Sequence, residues 1–200
     1  MSKYSPRLVD DILIKELRAF GAVCITGPKY CGKTTSAERI SASTLRMQDR
    51  SENDRNLILA KINPQLLLEG DKPRLIDEWQ IAPQLWDAIR VNVDSSGETG
   101  QFILTGSVNV DGKNIHHSGT GRIDTLVMST FSLFESEDSN GCVSLKDLCD
   151  KKRGISGTSN KELKDVAKII TRGGWSPCDT PHMLEKLSFD GENAINTYHF

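Results

Sequence analysis

Apolar side chains at Leu8, Val9, Ile12, Leu13, Leu17 and Phe20 recur at helical spacing, so the chain is predicted to begin its ordered part with a helix over residues 8–20. The unbroken run Ala22-Val23-Cys24-Ile25 then predicts a buried strand. Thr35–Ile40 reads as a helix, 44–48 as a short strand, and Asn53-Asp54-Arg55 opens a helical stretch through Leu57–Ile62 that Pro64 breaks, with one more turn over 65–68 before Gly70. Residues 73–78 form a brief apolar strand ending in two acids. Ala82-Pro83 starts a helix with Leu85, Ile89 and Val93 on one face, and the proline sits near the first turn, where its missing amide does no harm. Runs 101–107 and 124–128 read as two further strands. Strands alternating with helices predict an α/β fold: a parallel sheet covered on both faces.

The pattern weakens from about Ser129. Residues 135–141 read as an exposed loop, 143–148 as a short helix capped by Ser144, and 151–160 as a mobile linker. Leu163, Val166, Ala167 and Ile170 give the stretch 161–171 helical spacing, and Gly173-Gly174 supplies its end. The expected division is a core over 1–135, followed over 136–200 by a partial helical lid and a tail with little periodicity.

Composition narrows the function classes. With 200 residues the chain is long enough for a sizeable core. A formal net charge of −2 provides no global field toward nucleic acid or an acidic membrane, so direct nucleic-acid binding is not indicated. Lys151-Lys152-Arg153 reads as a solvated linker. Five cysteines (Cys24, Cys31, Cys142, Cys149, Cys178) without a Cys-x-x-Cys pair favour a reducing compartment over a disulfide framework or a zinc site. No run approaches the roughly 18 apolar residues of a membrane span, and the N-terminus lacks a signal-peptide core, so the expected location is the cytoplasm.

The candidate chemistry starts at Gly27-Pro28-Lys29-Tyr30-Cys31-Gly32-Lys33-Thr34, with Thr35 next. Glycines free the backbone to wrap phosphates, a lysine neutralises β- and γ-oxygens, and a hydroxyl binds magnesium. A strand before the loop and a helix after it aim amides and the positive end of a helix dipole at the anion. Asp77 and Glu78 close a later strand, expected beside the first one, whose carboxyl end in a parallel sheet faces the crevice of the nucleotide phosphates. Asp77 would hold Mg2+ with Thr34, and Glu78 would orient or deprotonate the attacking water. Thr105 and Ser107 end another strand, where a polar tip would bond that water or the γ-phosphate. Arg122 follows Ser118-Gly119-Thr120-Gly121, a stretch able to carry a guanidinium toward a phosphate of its own chain or of a neighbour. Adjacent His116 and His117 point to different sides, which argues against a two-histidine metal site.

These segments resemble a family of prokaryotic AAA+-type ATPases in which an AAA-like core precedes a C-terminal domain known as DUF4143. The likeness runs through Tyr4-Ser5-Pro6-Arg7, the Walker A loop, Pro73-Arg74-Leu75-Ile76-Asp77-Glu78-Trp79-Gln80 with its Walker B acids, Gln101–Ser107, His117–Arg122 and Ser132–Ser136. The resemblance implies a three-layer P-loop NTPase with a partial helical lid and ATP with Mg2+ as ligands. It also implies Asp77 and Glu78 as the acidic pair and Arg122 as the arginine finger; ATP is the expected partner, and a homo-oligomer or a protein partner is left open. Members are about twice as long and read Gly-Gly-Trp-Pro where this chain has Gly173-Gly174-Trp175-Ser176-Pro177, so the DUF4143 domain is expected to be missing. The expected function is ATP binding with Mg-dependent hydrolysis. The alternatives are a nucleotide-responsive binding module that hydrolyses negligibly and a small-molecule kinase.

Overall fold

The computed structural model describes residues 4–49, 52–106, 119–151, 154 and 156–175. The chain divides into two compact units, Arg7–Ser129 and, together, Met1–Pro6 with Thr130–Phe200.

In the first unit, helix α1 (Leu8–Ala19) opens with a reciprocal cap in which the Arg7 amide donates to Asp10 Oδ2 at 2.9 Å, and Asp10 and Asp11 meet the positive end of its dipole. The chain then runs through β1 (Ala22–Thr26), α2 (Lys33–Ile40), β2 (Ser43–Arg46), α3 (Asn53–Ile62), β3 (Arg74–Asp77), α4 (Gln84–Ser96), β4 (Phe102–Gly106) and β5 (Ile123–Val127). The five strands form one sheet in the order β2-β3-β4-β1-β5, and every pairing is parallel.

Period-two alternation divides the strand side chains between two cores. Ala22, Cys24, Ile76, Phe102 and Leu104 face a cluster with Trp79, Leu85, Trp86 and Ile89, under α3 and α4. Val23, Ile25, Leu75 and Ile103 face the opposite cluster, with Val9, Leu13 and Leu17 of α1 and Ala37 of α2. Three layers result. Each buried Leu, Ile or Phe contributes about 1.5–3 kcal/mol. A one-residue slip would exchange the two faces of a strand, so this alternation fixes the register.

The expected elements are present with boundaries moved by one or two residues, and two features differ. The acidic strand does not lie beside β1, because β4 is inserted between β3 and β1. A 3-10 turn, Trp79–Ile81, also separates the acids from α4. That turn exists because Trp79 is an anchor: it is buried and tilts against Trp86 with ring centroids 4.8 Å apart.

The second unit carries α5 (Leu145–Cys149) and α6 (Leu163–Arg172). Ser144 caps α5, accepting from the Asp147 amide at 3.3 Å. Gly173, at φ 63°, ends α6. The loop 135–141 is largely exposed, as expected, and it is also anchored. Asp138 pairs with Arg172 at 2.5 Å and Lys161 at 3.2 Å, and it accepts from Ser136 Oγ at 2.7 Å.

Candidate functional site

The loop 27–32 leaves the C-terminal end of β1 and feeds directly into α2, whose N-cap is Gly32. Two glycines are required there. A Cβ on Gly27 would overlap the Met128 carbonyl oxygen, and Gly32 sits at φ 98°, a conformation that L side chains rarely adopt. Gly27 is buried, while Pro28, Lys29 and Tyr30 form an exposed rim, with the Lys29 ammonium 5.2 Å from the Tyr30 ring. Cys31 is 1% exposed, its Sγ 3.7 Å from the Met128 carbonyl, so it fills space beneath the loop. Lys33 is 7% exposed and donates to the Gly27 and Pro28 carbonyls at 3.0 and 2.9 Å. Its ammonium is thus held inside the loop that would wrap an anion. Thr35 is exposed on the first turn of α2.

The ends of β3 and β4 meet the start of α2 beside this loop. Thr34 Oγ1 donates to Asp77 Oδ1 at 2.7 Å, and Thr105 Oγ1 donates to the same oxygen at 2.5 Å. The inserted β4 explains the convergence: Thr105 is in register with Asp77 on one side and with Ile25 on the other. A carboxylate with two hydroxyls is an all-oxygen set of the kind that suits a hard cation completed by phosphate oxygens. Among the described residues no cluster of three or more His, Cys, Asp or Glu offers a metal site of any other kind.

Glu78 adopts a left-handed backbone, φ 56° and ψ 45°, as the chain turns from β3 into the 3-10 turn. For a residue with a side chain this conformation is sparsely populated and costs of order 1 kcal/mol or more. Gln80 Nε2 donates to Glu78 Oε2 in a very short contact. On the core side of the site, burial pushes the Cys24 thiol up to about 12 against the lowering contact of the Trp79 indole, so it stays protonated.

Arg122 lies elsewhere. It precedes β5, and its carbonyl accepts from the Ala22 amide at the start of β1, whereas the loop follows the end of that five-residue strand. At about 3.3 Å per residue the two ends of the sheet are roughly 15 Å apart. Its Nε pairs with Asp94 of α4 at 2.6 Å. The structure therefore joins Thr34, Asp77 and Thr105 at one point, with Glu78 next in the chain, and sets Arg122 at the far edge of the sheet. Ser107, His116 and His117 lie outside the described residues.

Two residues without an assigned role in the sequence reading contribute to the site. Arg7 is 6% exposed and donates from Nη1 to the Cys31 carbonyl at 2.7 Å and from Nη2 to the Ser129 carbonyl at 2.9 Å, tying the base of the loop to the segment after β5. Gln80 is the other. Neither contact leaves a spacing signal, because the Arg7 partners are 24 and 122 residues away and the Gln80 contact depends on the turn at Glu78.

A family model described as "AAA domain" matches residues 19–137, a span that holds the whole loop, both acids, Thr105 and Arg122. No curated protein matches the chain significantly. Among solved structures, one described as "Structural Basis for Katanin Self-Assembly" is similar at 16% identity and a TM-score of 0.49, covering 96% of this chain and 69% of that one.

Proposed function

Because this chain belongs to the AAA domain family, we propose that it binds Mg-ATP through Gly27–Thr34 and hydrolyses it to ADP and phosphate. Family membership supports a nucleotide-binding, ATPase-like function. The observation that carries the finer reading is the convergence of Thr34 and Thr105 on Asp77 Oδ1 beside a buried Lys33.

The loop amides and the α2 N-terminus cradle the phosphates, and Lys33 exchanges the carbonyls of Gly27 and Pro28 for β- and γ-oxygens. Asp77 and the Thr34 hydroxyl would hold magnesium, which would supply charge neutralisation at the phosphates. Thr105 fixes the Asp77 carboxylate by donating to the same oxygen as Thr34. Glu78 orients the attacking water and accepts its proton while the water oxygen bonds to the γ-phosphorus and the bond to the β,γ-bridging oxygen breaks. Little covalent work falls to the protein, and positioning with electrostatic stabilisation does most of it. Arg122, at the far edge of the sheet, acts on the nucleotide of a second copy of the chain. Four free cysteines among the described residues support a reducing, cytoplasmic setting.

Phosphate release with Mg-ATP, measured against protein concentration for the parent, Glu78→Gln and Arg122→Ala, tests this reading. The parent is expected to turn over with specific activity that rises with concentration. Glu78→Gln should bind ATP and lose turnover by about 100-fold or more, and Arg122→Ala should lose turnover at every concentration. A Glu78→Gln variant as fast as the parent removes Glu78 from the chemistry. Flat concentration dependence with a fully active Arg122→Ala leaves Arg122 as the partner of Asp94 only.

A further inference from the structure

The 3-10 turn after β3 is more constrained than a connection to α4 requires. Glu78 holds a left-handed backbone, one of four such side-chain-bearing positions among the described residues, and such outliers persist where their surroundings fix them. The Gln80 side chain holds the carboxylate that this backbone carries. Its Nε2 donates to Glu78 Oε2, and its Oε1 lies so close to Gly106 that a Cβ there would collide with it. A Cβ on Gly106 would also approach Trp79 Nε1 to 3.1 Å. Gly106 is the last residue of β4 and directly follows Thr105, whose hydroxyl binds Asp77. The Gln80 amide is therefore wedged between the tip of β4 and the Glu78 carboxylate. Trp79, buried between them in sequence, prevents the turn from shifting.

We propose that Gln80 is a positioning residue that holds the Glu78 carboxylate at the tip of β4, facing the crevice where water attacks the γ-phosphate. This rests on the hydrolysis reading of the site. A glutamate left free to rotate samples its staggered rotamers and spends only a fraction of the time where it can take a proton. A fixed donor on one carboxylate oxygen leaves the other for water and removes that loss from the chemical step alone. Nucleotide binding, which uses the loop and Asp77, is untouched. Gly106 belongs to the same device, since any side chain at that position would displace the amide.

The test compares phosphate release, Mg-ATP affinity and Tm in the full chain for Gln80→Leu and Gln80→Glu, each alone and combined with Glu78→Gln. Gln80→Leu keeps most of the volume and loses the donor, whereas Gln80→Glu keeps the shape and sets a like charge against Glu78. The expected result is a kcat lower by roughly tenfold for Leu and more for Glu, because a misplaced catalytic group costs rate steeply. Mg-ATP affinity should stay within about twofold and Tm nearly unchanged, with no further loss of rate in the Glu78→Gln background. If Gln80→Leu does not fold, the Gln80→Glu pair decides alone. Parental kcat in both variants, an equal further loss on top of Glu78→Gln, or a fall in affinity matching the fall in rate each overturns the role of Gln80 and leaves the hydrolysis reading standing. A parent chain that binds Mg-ATP without releasing phosphate overturns both.

Discussion

The Arg7 guanidinium crosses from the start of α1 to the base of the phosphate loop, and its near-complete burial on two carbonyls makes it a structural part of that loop. By holding the Cys31 carbonyl beneath the loop it orients the peptide that joins Cys31 to Gly32, whose amide lies at the entrance to α2. Charge-assisted hydrogen bonds of this kind contribute about 1.5–3 kcal/mol, and about 1.4 kcal/mol is tenfold in affinity. Arg7→Met is therefore expected to weaken Mg-ATP binding by roughly tenfold, read by an equilibrium titration, with some loss of Tm. Parental affinity in that variant would make the clamp irrelevant to the ligand. At this scale the sequence discloses residues whose chemistry depends on spacing, such as Lys33, Thr34 and the Asp77-Glu78 pair. Arg7 and Gln80 stand in segments that carry the family likeness, but their roles are not disclosed, because their partners are brought near only by the folded chain.

At the scale of elements, hydrophobic patterning in the first unit is strongest for the central strands β1 and β4, which are buried on both faces, while the edge strands β2 and β5 bury one residue each and are marked by short apolar runs between turn residues. The position of β4 between β3 and β1 is absent from the pattern, since apolar runs of similar composition do not say which of them pair. The 3-10 turn is likewise hidden, being set by Trp79 entering the core. In the second unit, polarity over 135–141 suggests a solvated loop, yet Asp138 pins it to α6 through Arg172. Partial burial works against the charged carboxylate, and the Ser136, Arg172 and Lys161 contacts outweigh it, so the Asp138 pKa is depressed from 3.8 to about 2. A depressed carboxylate contributes stability above its unfolded pKa and loses it as pH falls toward the folded value. Asp138→Asn should lower Tm by several degrees at pH 7, corresponding to about 1–3 kcal/mol. That gap should narrow between pH 4 and pH 2. A gap that is constant across this range would show that the carboxylate charge is not what holds the loop.

At the scale of the whole molecule, a five-stranded parallel sheet collects the ends of β1, β3 and β4 on one edge, and the residues of the proposed nucleotide site, up to 78 positions apart from Gly27 to Thr105, come together there. The same parallel arrangement sends Arg122 to the opposite edge, so one copy of the chain holds the loop and acids at one end and a guanidinium at the other. Among the described residues no helix is long and apolar enough to cross a membrane. The account's central claim is that the loop after β1 is a nucleotide site, and the most direct measurement is a Mg-ATP binding titration of the parent beside Lys33→Ala. The account predicts saturable binding by the parent and a loss of affinity of at least about tenfold in the variant, because the buried ammonium is the loop's own cation. Equal affinity in the two proteins, or no binding by the parent, would contradict it.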